Sequence, residues 1–93
     1  MPVRVHVPRA LRAATGGAST VTVELPAATR ATLADLVDAL GRGHPGIWHR
    51  LVDERGRLRE GINVLVDARR ANESGGLLTP VDAESEVWIL AGR

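Results

Sequence analysis

The sequence predicts an α+β domain, a mixed four- to five-stranded sheet with one main helix packed on one face. Two strictly alternating segments stand near the N-terminus, and one amphipathic helix with a clear start and stop follows them. The later apolar runs are short enough to be strands. With 93 residues the chain can build one modest core rather than two. We therefore expect a single domain over residues 1–93, with residues 91–93 as a short C-terminal tail.

The first segment, "PVRVHV", sets Val3, Val5 and Val7 against Arg4 and His6, as in a strand with one wet face. Pro8 ends it, because proline cannot donate to a ladder. "RALRAATGG" reads as one helical turn closed by Gly16-Gly17, where positive φ is cheap. "STVTVEL" alternates again, with Val21, Val23 and Leu25 opposite Thr20, Thr22 and Glu24. An antiparallel pair is the simplest arrangement of these two strands.

The helix starts at an N-cap, Thr32, with Asp35 completing a capping box in place of the usual glutamate. Leu33, Leu36, Val37 and Leu40 form one apolar stripe. Gly41 and Gly43 should stop the helix, and Pro45 forbids its resumption. "GIWHRLV" reads as a shorter helical piece with Ile47, Trp48, Leu51 and Val52 on its apolar side, and "DERGR" as a charged turn. "GINVLVD" is a strand, apolar on both parities apart from Asn63, which suggests a more central position in the sheet. "ARRANESGGLLTP" reads as loop with a brief strand at Leu77-Leu78, and "VDAES" as a turn. "EVWIL" is the last strand, with Val87 and Ile89 on one face and Trp88 and Leu90 on the other.

Hairpin, helix, then further strands describes the ubiquitin-like β-grasp, in which the first and last strands are parallel neighbours at the sheet centre. The rival ferredoxin-like fold needs a second full helix between the later strands, and residues 68–76 carry no helical apolar stripe.

Composition narrows the chemistry. The chain has no Cys, hence no disulfide framework, thiolate nucleophile or cysteine metal site. All basic residues are Arg, so no lysine can form a Schiff base. The arginines are scattered among carboxylates with no Phe or Tyr between them, which argues against a nucleic-acid partner. No apolar run approaches the roughly 20 residues of a membrane helix. Arg4, His6 and Arg9 interrupt the first apolar run, so no signal peptide is read, and a cytoplasmic protein without membrane contact is expected.

His6, His44 and His49 have no zinc-motif spacing, and Asp53, Glu54, Asp82, Glu84 and Glu86 read as solvated turn charges. Gly16-Gly17 and Gly75-Gly76 are turn glycines, and no phosphate-cradling loop precedes a helix. No cofactor, metal or catalytic residue is expected.

Nearly the whole chain resembles the ThiS/MoaD-type sulfur carriers. The resemblance runs through "VRVHVP", "LRAATGG", "HPGIWHRLVDERGRLREGINVLVD" and "GGLLTPVDAESEVWIL", with "INVLV", the "GL-TP" segment and the acidic turn before the last strand as its most specific pieces. It implies a carrier rather than an enzyme, serving thiamine, molybdenum-cofactor or cysteine biosynthesis. An E1-like enzyme adenylates the carboxylate of a Gly-Gly tail, which becomes a thiocarboxylate and delivers sulfur to a synthase. Glycine suits such a tail, being slim enough to thread a narrow site.

This chain departs from the pattern where the chemistry would occur, carrying Ala91-Gly92-Arg93 in place of a terminal Gly-Gly. Three readings follow. A protease removes Arg93 and exposes Gly92; or the chain is a degenerate interaction or regulatory module without sulfur chemistry; or Arg93 is itself the working terminus. By matching positions, the resemblance also implies a partner-docking patch on the outer sheet face near the tail, made of Trp88, Leu90, Val66 and Pro8.

Overall fold

In a computed structural model, described over residues 1–26, 30–71 and 75–91, the chain forms a mixed sheet with helices on one side. In chain order the elements are β1 (Pro2–His6), a 3-10 helix (Arg9–Thr15), β2 (Thr20–Glu24), α1 (Leu33–Gly43), α2 (Ile47–Leu51), β3 (Ile62–Val66), β4 (Arg69–Arg70), a 3-10 turn (Gly76–Leu78) and β5 (Glu86–Ala91). The strand order is β2-β1-β5-β3-β4. β1 runs antiparallel to β2 and parallel to β5, and β3 pairs antiparallel with both β5 and β4. This is the β-grasp arrangement expected from the element order.

Alternation decides which side chains enter the core. Val3, Val5, Val23, Ile62, Val64, Val66, Val87 and Ile89 are all buried on the face that α1 covers with Leu33, Leu36, Val37 and Leu40. The capping box forms as expected. Thr32 Oγ1 accepts from the Asp35 N–H, and Asp35 Oδ2 accepts from the Thr32 N–H at 2.9 Å. Between them they satisfy two of the helix's orphan donors.

Several local expectations change. The segment after Pro8 winds into a seven-residue 3-10 helix rather than one turn, closed by Gly16 at φ 67°. Gly41 does not end α1, which continues to Gly43. Its role is spacing, since a Cβ there would lie 2.9 Å from the Trp48 Cβ. The missing side chain is what lets α2 approach α1. Leu77-Leu78 form the 3-10 turn instead of a strand, while Arg69-Arg70, expected as loop, make the short β4. β3 is an interior strand, paired with β5 on one side and with the short β4 on the other, in keeping with its apolar residues on both parities.

β4 exists because Val66 and Arg69 close a hairpin through Asp67 and Ala68, both at positive φ (52° and 69°). Two-residue loops of this kind match the twist of the flanking strands, and they ordinarily carry Asn, Asp or Gly. Asp67 suits the turn and also holds the start of β5. Its N–H donates to the Glu86 carbonyl at 2.9 Å, and its Oδ1 accepts the Glu86 N–H at 2.8 Å. Ala68 gains nothing comparable and bears the left-handed strain of an L-residue, about 1–2 kcal/mol. Ala68→Gly should therefore raise the unfolding free energy by about 1 kcal/mol, part of the relief being offset by the greater freedom of glycine in the unfolded chain. Denaturant titration reads this directly, and a lower midpoint would contradict it.

Candidate functional site

β5 lies between β1 and β3, so its outward side chains have neighbours on both sides. Trp88 stands beside His6 on β1 and Leu65 on β3, and Leu90 stands beside Asn63. Trp88 and Leu90 are 41% and 42% exposed, two large apolar side chains in succession on one wet face. Pro8 lines the same shallow groove of about 330 Å³, with Arg12 and Thr20 on its other wall. Trp88, Leu90 and Pro8 are thus brought together. Exposed apolar patches of this kind, anchored by tryptophan, mark interaction surfaces.

Val66 is not part of the patch. It pairs with Val87, lies on the core face and is 5% exposed. The reason is parity: β3 turns Ile62, Val64 and Val66 inward, leaving Asn63 and Leu65 outward. Leu65 occupies the place expected for Val66.

The Trp88 ring is fixed. Its indole stacks on the His6 imidazole with centroids 3.8 Å apart and planes 14° from parallel. Its Nε1–H donates to Glu86 Oε1 at 2.7 Å. The same Glu86 oxygen lies 3.9 Å from His6 Nε2, an ion-pair distance when the imidazole is protonated. The stack and the indole hydrogen bond hold the side chain before any partner arrives, which lowers the ordering cost of binding. Reading the sequence alone missed His6 and Glu86 as partners of Trp88. The alternation in "PVRVHV" and "EVWIL" puts all three on wet faces, but only the parallel register sets them side by side.

Beyond Leu90 the strand continues one residue further than expected. Ala91, read as the first tail residue, is the last residue of β5 and pairs with Ile62. Gly92 and Arg93 lie outside the described residues. Ala91 lines a second groove, of about 380 Å³, with Leu11, Arg50, Arg59 and Glu60. At the other end of β5 the acidic turn is largely self-contained. Asp82 Oδ1 accepts the Glu84 N–H at 2.8 Å, and Ser85 Oγ accepts the Asp82 N–H at 2.9 Å.

Elsewhere the polar groups serve the fold. Trp48 Nε1–H donates to Asp38 at 3.1 Å, and His49 sits edge-on to that indole. Asp53 is held below its ordinary value of 3.8, chiefly by the backbone N–H of Arg57, then by that of Arg55 and the charges of Arg59 and Arg57. Among the described residues no group of three or more His, Cys, Asp or Glu could hold a metal ion. No helix among them is long and apolar enough to cross a membrane.

The stack gives a direct test of how firmly Trp88 is placed. A double-mutant cycle of His6→Ala and Trp88→Ala should return a coupling of about 0.5–1.5 kcal/mol in favour of the pair, the range for stacked aromatics. Denaturant unfolding of the four proteins measures it. A coupling near zero would mean that the two rings are merely adjacent.

No family model matches the chain. The sulfur carrier protein CysO of Mycobacterium tuberculosis is 34% identical over 92 residues, spanning 97% of this chain and 94% of that protein. Its crystal structure aligns with a TM-score of 0.83 at 32% identity, covering 98% of this chain and 99% of the other. A chain of the BexX/CysO complex from Amycolatopsis orientalis aligns with a TM-score of 0.86 at 34% identity, covering 98% and 96%. SAMP1 of Haloferax volcanii aligns with a TM-score of 0.81 at 25% identity, covering 100% and 97%. Sequence similarity along nearly the full length, together with a closely matching fold, makes this protein a carrier rather than an enzyme: the chain belongs to the ThiS/MoaD-type ubiquitin-like sulfur carrier family.

Proposed function

We propose that the chain carries sulfur as a thiocarboxylate on Gly92, after a protease has removed Arg93. The carboxylate of Gly92 attacks the α-phosphorus of ATP in an E1-like enzyme, and pyrophosphate leaves. A sulfide-level donor then attacks the acyl carbon of the adenylate, AMP leaves, and the thiocarboxylate remains. The loaded carrier docks on a synthase of the cysteine, thiamine or molybdenum-cofactor type and gives up its sulfur. These partners are those of the cytoplasm, and the carrier contributes no catalytic group.

The observation that supports this reading is the course of β5. The strand displays Trp88 and Leu90 outward and leads within two residues to Gly92. A docking face and a reactive terminus on one strand let recognition and delivery occur in a single encounter. Trp88, Leu90 and Pro8 serve as the docking residues. Ala91 has a single methyl group, small enough for a narrow channel, whereas the long charged side chain of Arg93 would have to be carried past the adenylation site.

The departure Ala91-Gly92-Arg93 from a terminal Gly-Gly favours the second reading, an interaction or regulatory module on the same fold without sulfur chemistry. Intact-mass measurement of protein purified from its native host separates the two. The carrier should be found ending at Gly92, with a fraction heavier by the exchange of one oxygen for sulfur. A population ending only at Arg93, in cells that hold a cognate activating enzyme, would sink the carrier reading.

A further inference from the structure

The end of β5 is surrounded by arginines. Arg12 lines the groove that holds Leu90, and Arg50 and Arg59 line the groove that holds Ala91. Among the described residues Glu60 is the one carboxylate in either lining. Arg50 and Arg59 are exposed, and among the described residues neither forms an ion pair. The carboxylate of Asp53, which accepts the backbone N–H groups of Arg55 and Arg57 at 2.8 and 3.1 Å, offsets part of the Arg59 charge.

Arg59 is also fixed in place. Its Nε–H donates to the His49 carbonyl at 2.6 Å, its N–H to the Leu51 carbonyl at 2.8 Å, and its own carbonyl accepts the Ile62 N–H at 3.0 Å. It therefore spans the end of α2 and the start of β3, beside the Ile62–Ala91 pair. At the start of β5 the charges are mixed, with Asp67, Asp82, Glu84 and Glu86 at the turns and Arg4, Arg30 and Arg69 beside them.

We propose that Arg50 and Arg59 form a positive rim around the root of the tail, and that the activating enzyme meets it with carboxylates around the mouth of its tail channel. This rests on the carrier reading above and adds the chemistry of the partner. The tail terminus is an anion and the rim is cationic, so one partner surface must accept both. An acidic mouth leading to a cationic, nucleotide-binding interior does so, and orients the carrier tail-first as it approaches. Rim charges of this kind act mainly on the association rate and its salt dependence.

The test uses carrier expressed in its native host, so that its terminus is processed there, and the cognate adenylating enzyme with release of pyrophosphate as the readout. At low ionic strength Arg50→Glu with Arg59→Glu should lower kcat/KM by about 10-fold or more through KM, with kcat little changed. The gap should narrow to about twofold near 0.5 M salt, where screening acts over only a few ångströms. Arg50→Glu alone, which breaks none of the hydrogen bonds that fix Arg59, should give a smaller loss with the same salt dependence. Replacing an acidic residue at the channel mouth by Arg should restore it. Folded variants that stay within about twofold of wild type at low ionic strength, with an unchanged salt profile, would overturn the rim while leaving the carrier reading intact. Absence of adenylation of the wild-type chain would overturn both.

Discussion

The structure depends on the parallel pairing of β1 with β5. Antiparallel neighbours can be joined by a tight turn, whereas parallel neighbours need a crossover that returns the chain to the starting edge. Here the segment between β2 and β3 carries α1 and α2 across the sheet and supplies the second layer of the core. Val5 beside Val87, both fully buried, seals the seam. The same seam places His6 beside Trp88, so the contact that closes the fold also composes the outer patch. Loss of the pairing would open the core and disperse the site together.

Burial and function are divided between alternate residues of one strand. Val87 and Ile89 hold β5 in the core, and Trp88 and Leu90 face water. Because the inward pair is packed on both sides, the outward pair has little freedom to shift along the sheet. Asp67 adds a lateral tie at the start of the strand by pairing with both backbone groups of Glu86. That carboxylate and backbone pair fix the register from which the rest of β5, and the residues after it, are measured.

Much of this was legible in the sequence because its patterns were unambiguous. The alternation in "PVRVHV" and "STVTVEL", the Thr32–Asp35 box and the Leu33-Leu36-Val37-Leu40 stripe each admit one reading. "INVLV" does not, since it is apolar on both parities and leaves the face of Val66 open; the family resemblance put Val66 in the outer patch, where Leu65 stands instead. The hairpin at Asp67-Ala68 was hidden for a different reason. No Gly or Asn marks it, and long-range hydrogen bonds hold an alanine at an unfavourable φ. The Arg50, Arg59 and Ala91 grouping was equally out of reach, because it joins three segments that only the tertiary fold brings to one edge.

The position of β5 has a consequence for how the molecule comes into being. It comes after the other four strands in chain order and is central in space, with β1 on one side and β3 on the other. During translation β1, β2 and the helices are available early, but their apolar faces have no middle strand to close on. Contacts between such distant parts of a chain are slow to form and leave earlier segments exposed to misassociation. A nascent chain halted before residue 86 would thus be left with an open sheet, its valines facing solvent, and would invite chaperones or proteases. The domain becomes compact only once the strand leading to Gly92 has been made, so a folded copy without that strand is not expected to accumulate in the cell.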